Sequence, residues 1–143
     1  MYNRLDVLPE VDIVADTAER TRQEELALAR AFAIEAARTA VEDKCHNVRV
    51  LDVTHLSPLC DFMVLATGTS GRQMSTVAKD IEDKGHELEF PLRRSSGRDS
   101  ESWIAQDYFD VVVHVFGQEA RLYYDLDNLW GDAEEVDWAT KPD

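Results

Sequence analysis

Trp103, Asp107, Asp110 and His114 lie within twelve positions of one another, at a spacing a β-hairpin can gather on one surface. The chemistry they suit is recognition. An indole supplies buried area, carboxylates pair with basic side chains, and an imidazole offers a ring nitrogen to a hydrogen bond. A second group, Gly68-Thr69-Ser70 followed by Arg72, falls where a strand should pass into a helix. Free N–H groups at such a junction can hold an anion. A glycine turn followed by an N-cap is the plainer account of Gly68, Thr69, Ser70 and Arg72.

Enzyme chemistry needs more than this. In a metal-dependent nucleotidyltransferase, a Gly-Ser turn precedes two carboxylates on a strand that hold Mg²⁺. Asp80 and Glu82 follow the turn, but on a helix residues two apart point to different sides. Glu87 and Glu89 would share a strand face, yet no third acid accompanies them. Cys45, His46, His55 and Cys60 lack the paired spacing of a closed zinc site, and nothing sets His114 against a thiol. No cofactor and no metal are expected.

These residues need a scaffold. Thr21-Arg22-Gln23-Glu24 has capping-box spacing and opens a helix to about residue 43, with Leu26, Ala29, Ala33, Ala36 and Ala40 along one side. Val48 to Val53 and Phe62 to Thr67 read as strands, the second apolar on both faces and therefore central. Ser70 caps a helix carrying Met74, Val77, Ala78 and Ile81, which Gly85 would stop. Glu87 to Phe90 alternates like an edge strand, and Arg93 to Ser100 reads as a loop. Ser102 to Asp107 and Asp110 to Phe116 form an antiparallel hairpin, and Glu119 to Trp130 a helix stopped by Gly131, with Leu122, Leu126, Leu129 and Trp130 on one face. The sum is an α/β fold, a mixed five-stranded sheet with helices packed on it.

Within the hairpin, Val111, Val113 and Val115 share one face and Asp110, Val112, His114 and Phe116 the other; Trp103, Ala105 and Asp107 lie together. Two readings stay open on the residues alone. The second face is an interaction hot spot, or it is a half-buried tryptophan and a satisfied histidine under the acidic C-terminus.

Length and charge bound the rest. A chain of 143 residues makes one domain, expected over residues 21–131, with a mobile acidic arm at 1–20 and a loose acidic tail at 132–143. The arm lacks the layout of a secretory signal, and two cysteines fit a reducing cytoplasm. A net charge of −14 repels phosphate backbones, and the one dense basic cluster is Arg93, Arg94 and Arg98. Such a domain is steered toward basic proteins, unless the charge only keeps it soluble.

Five ordered segments resemble the ribosomal silencing factor, or Iojap-like, family: VEDK (Val41–Lys44), VLDVTHLSPLCDFMV (Val50–Val64), TGTSGRQ (Thr67–Gln73), SWIAQDYFDVVVHVF (Ser102–Phe116) and ARLYYDLDNLW (Ala120–Trp130). The resemblance implies a nucleotidyltransferase-like core without catalytic acids. It implies a non-enzymatic, cytoplasmic repressor that docks on universal large-subunit ribosomal protein number fourteen and bars the small subunit. Little direct nucleic-acid contact and no membrane are expected, and a homodimer stays open. The implied partner-binding set is Trp103, Asp107, Tyr108, Asp110, Val112 and His114. The sequence departs from the family at Ser96, where a glutamate commonly precedes glycine, and at Phe109, often a glycine. The acidic C-terminus is expected to repel RNA of the incoming subunit.

Overall fold

A computed structural model describes residues 7–140, with side chains from Arg22 onward. Helix α1 (Val7–Glu42) lays Ala29, Phe32, Ala33, Ala36, Ala37 and Ala40 against the sheet, all fully buried. Its alanines bring the backbone close to the strands, and Phe32 fills the gap they leave. The helix begins well before Thr21, so the capping-box spacing there does not mark its start. The rest of the expected arm, residues 1–6, lies outside the described residues.

Strands β1 (His46–Asp52) and β2 (Phe62–Thr67) pair antiparallel, and α2 (Gly71–Glu87) follows. Then come β3 (Arg94–Ser96), β4 (Trp103–Asp107), β5 (Val111–Phe116), α3 (Gln118–Tyr124), α4 (Leu126–Leu129) and β6 (Glu134–Glu135). The sheet order is β3-β4-β5-β2-β1-β6, with β2 and β5 parallel at its centre. All of β2 is buried, as its uninterrupted apolar run predicts.

The sheet therefore has six strands rather than five. Glu87 to Phe90 is not one of them: Glu87 ends α2, Leu88 donates back to Lys84 and Gly85, and Glu89 takes a φ of 65°. Four alternating residues fit a helix end as well as a strand. The edge strand comes instead from Arg94–Ser96, pairing Arg94 with Asp107 and Ser96 with Ala105. Gly85 is not a left-handed stop either. A Cβ there would meet the Phe90 carbonyl oxygen at 2.5 Å, so the glycine lets the chain fold back over α2.

Two apolar layers result. One lies between α1, α2 and the sheet and includes Val50, Val64, Ile104, Tyr108, Val111, Val113 and Val115. The other lies on the opposite face, where Leu51, Met63, Leu65 and Phe116 meet Leu126 and Trp130. The C-terminal helix is broken at Asp125, whose φ is 49°. The break separates its expected apolar face: Leu126 and Trp130 pack inward, while Leu122 and Leu129 are exposed. The tail is not loose through Thr140. Glu134–Glu135 pairs with Leu51 and Asp52, Val136 is buried, and the Trp138 carbonyl accepts from Arg38 at 3.1 Å.

Candidate functional site

The β4–β5 register sets Trp103 opposite Phe116 and Ala105 opposite His114. Trp103 enters β4 from a turn closed by Ser100, whose Oγ accepts the N–H groups of Ser102 (2.9 Å) and Trp103 (3.2 Å). Gly97, with φ 75°, holds that loop against the strand, since a Cβ there would strike the Trp103 carbonyl oxygen. The loop thus keeps the glycine it needs, and Ser96 stands beside it on exposed β3.

Trp103 is half-buried. Its ring lies 5.0 Å from Phe116, 5.7 Å from His114 and 4.6 Å from Tyr124, centroid to centroid. Its Nε1 donates to His114 Nδ1 at 3.0 Å. His114 is 9% exposed, and burial pulls its pKa down to about 4. The imidazole is therefore neutral at pH 7, accepting at Nδ1 and carrying its proton on Nε2. His114 Nδ1 is thus spent inside the fold, orienting the indole.

Of the six expected partner-binding residues, Trp103, Asp107, Val112 and His114 share the face away from α1 and α2, with Val112 opposite Asp107. Asp107 Oδ1 also accepts the Phe109 N–H at 2.7 Å and so closes the hairpin turn. Tyr108 and Asp110 are not brought to that face. Tyr108 is 2% exposed and edge-on to Phe32 at 4.8 Å, inside the helix-covered core. Asp110 precedes β5, so strand alternation does not govern it. Its carboxyl lies on the α1 side, its pKa raised by burial and by the charges of Asp61 and Glu25.

Sequence reasoning missed the surface that extends this face. Leu122, Tyr123, Tyr124 and Leu129 are exposed on α3 and α4, with Leu122 at 75% and Tyr123 at 81%. Tyr123 stands edge-on to Tyr124, and Tyr124 touches Trp103, so the aromatics run together. Isolated apolar exposure is ordinary, whereas here Trp103, Tyr124 and Tyr123 meet in series beside exposed α3. Beneath it sits a polar anchor. Arg121, 7% exposed, donates to Thr67 Oγ1 at 2.9 Å and to both oxygens of Asp127, which also accepts from Arg49 at 2.7 Å. Arg49 in turn holds Glu135 at 2.8 Å. These cations drive the Asp127 carboxyl far below the ordinary range.

At the junction, Ser70 Oγ caps the Gln73 N–H at 3.1 Å, and Gln73 Oε1 accepts the Thr69 N–H at 2.9 Å. Gln73 also donates to the Asp43 carbonyl at 2.7 Å, tying α2 to the turn after α1. Gly68 leaves room for the Met74 and Gln73 side chains, which a Cβ there would displace. The Arg72 side chain is exposed and enters none of these bonds among the described residues. A cavity of about 610 Å³ opens here, but Glu101 and Glu119 line it and oppose a phosphate.

The acid pairs weighed for metal do not assemble. Asp80 faces Asp43, Glu82 holds Arg98 at 3.2 Å, and Glu87 and Glu89 share no strand. Cys45 and Cys60 are buried, their thiols pushed up to about 11, chiefly by burial. The arginine cluster is dispersed: Arg93 lies over the Phe109 ring, and Arg98 pairs with Glu82. No described helix is long and apolar enough to cross a membrane.

The family described as "Ribosomal silencing factor during starvation" matches residues 26–143. Ribosomal silencing factor RsfS of Bacillus subtilis is 34% identical over 105 residues, covering 73% of this chain and 89% of that protein. A crystal structure of a Chromobacterium violaceum protein superposes with a TM-score of 0.65 at 34% identity, covering 79% of this chain and 91% of that one. A mouse protein named "Mitochondrial assembly of ribosomal large subunit protein 1" is 24% identical over 92 residues, covering 62% of this chain and 40% of its own length. The chain belongs to the ribosomal silencing factor family, whose Iojap-like motifs it carries.

Proposed function

We propose that this protein represses translation by binding the large ribosomal subunit and sterically blocking its union with the small one, with no bond made or broken. The observation that carries the reading is the contact series Trp103, Tyr124 and Tyr123, with Leu122 exposed on the same helix, set on an acidic domain of net charge −14. An aromatic anchor with Asp107 at the other end of the same strand face suits a basic protein and suits RNA poorly. We take universal large-subunit ribosomal protein number fourteen as that partner, with little direct nucleic-acid contact. The mouse relative's name, which speaks of large-subunit assembly, supports the choice of subunit. The action would take place in the cytoplasm. The same proposal takes the core as nucleotidyltransferase-like but lacking catalytic acids, supported by the dispersal of Asp80, Glu82, Glu87 and Glu89.

Co-sedimentation with separated subunits tests the reading. The protein should travel with large subunits, and added small subunits should fail to join them. Free large subunits that ignore the protein, or pair normally when it is saturating, would remove the proposal.

A further inference from the structure

We infer that a second docking trough, on the helix-covered side of the sheet, takes an extended basic segment of another protein. Two hollows, of about 430 and 480 Å³, share Glu89, Phe90 and Asp110 and so form one trough. It runs from Leu28 on α1, past the end of α2, to Phe109 at the β4–β5 turn. Its floor is apolar and accessible: Leu28 is 58% exposed and Phe109 59%, with Leu88 and Phe90 between them. Phe90 is fixed by stacking on Phe32 at 5.1 Å, which makes the floor rigid.

The walls are acidic toward α1, while Arg93 lines the far end and lies over the Phe109 ring at 4.7 Å. Glu25, Glu87, Glu89 and Asp110 line the hollow nearer α1. Among the described residues, Glu25, Glu89 and Asp110 enter no ion pair; Arg22 is taken by Asp61 at 3.2 Å, and Lys84 reaches only Glu87, at 3.7 Å. Carboxylates crowded around an apolar floor leave a negative potential that a cationic chain would relieve. A segment alternating lysine or arginine with apolar side chains meets both needs, because an extended chain turns successive side chains to opposite sides. A second copy of this chain, itself at −14, offers these carboxylates no net positive charge, so a basic partner matches them better. Nucleic acid is disfavoured for the same reason. The trough lies across the sheet from Trp103, so both surfaces can be occupied together.

The test uses the full chain and a labelled peptide of alternating Lys and Leu, followed by anisotropy and by amide chemical shifts. Shifts should centre on Leu28, Leu88, Glu89 and Asp110. The pair Glu89→Gln/Asp110→Asn should weaken binding about tenfold, and the equally charged control Glu101→Gln/Glu119→Gln less than about twofold. Leu28→Ser, which leaves charge unchanged, should weaken it several-fold. Equal loss in the test and control pairs would reduce the effect to general attraction and overturn the trough. So would shifts centred on Trp103, no response to Leu28→Ser, or no binding at all. Self-association abolished by Glu89→Gln/Asp110→Asn would assign the trough to a second copy and overturn the basic partner.

Discussion

The indole N–H of Trp103 donates to Nδ1 of His114, 3.0 Å away, across the β4–β5 pair. A protonated imidazole would have no lone pair for it. Burial keeps His114 neutral, so the tryptophan ring is fixed before any partner arrives. A pre-set anchor loses less freedom on binding.

That arrangement makes stability depend on pH. Unfolded, the imidazole titrates near its ordinary 6.5; folded, it holds no proton until about 4. Between those values the unfolded chain binds more protons, so stability present above 6.5 is lost as pH falls toward 4. The loss should approach about 3 kcal/mol. Urea melts across this range should show a steeper decline for the wild type than for His114→Phe. Parallel curves would mean that His114 titrates normally in the fold.

Binding and folding should separate on the aromatic patch. Trp103→Ala should cost at least about 2 kcal/mol of affinity for large subunits if the ring is a hot spot. Leu122→Ala and Tyr123→Ala remove exposed side chains, so thermal stability should stay within about 0.5 kcal/mol while pelleting with large subunits declines. Undiminished pelleting for all three would move the interface elsewhere.

Phe109 takes a φ of 80° in the hairpin turn, a region costly for any residue with a Cβ. Phe109→Gly should relieve that cost. The stacking of Arg93 on the ring, 4.7 Å from its centre, offsets part of the gain. The net should be a rise of about 0.5–1 kcal/mol in chemical denaturation. A fall would show that the Arg93 contact outweighs the backbone.

Asp127→Ala leaves Arg121, 7% exposed, facing only a hydroxyl. An uncompensated buried cation should destabilise the fold by about 3 kcal/mol, readable as a lower denaturation midpoint. Removing residues 132–143 should also lower the midpoint, because Val136 leaves the core and Glu135 leaves Arg49. A truncation that only weakened subunit blocking would restore the idea of a detachable acidic tail.

The periodic elements were legible because burial and periodicity agree there. Phe62–Ala66 is apolar throughout and buried, and Ser70 caps α2 through Gln73 as its spacing predicts. Errors gathered where the chain reverses. Glu87 to Phe90 was too short to tell a strand from a helix end. Asp110 stood one residue outside β5, so its expected face did not follow. The break at Asp125 turned Leu122 outward, which no helical wheel through 119–130 could show. The Arg121, Asp127, Arg49 and Glu135 cluster joins residues up to 86 positions apart, beyond any local pattern.

The parallel pairing of β2 with β5 has a bearing on time. Phe62 cannot find Val111 until the intervening α2, β3 and β4 have compacted, and Arg38 meets the Trp138 carbonyl across a separation of 100 positions. Closing such long loops is slow, so this chain should reach its native state later than a helical bundle of equal length. During that delay the apolar edge of Phe62–Thr67 stands open to neighbours, and dilute refolding should recover more protein than concentrated refolding.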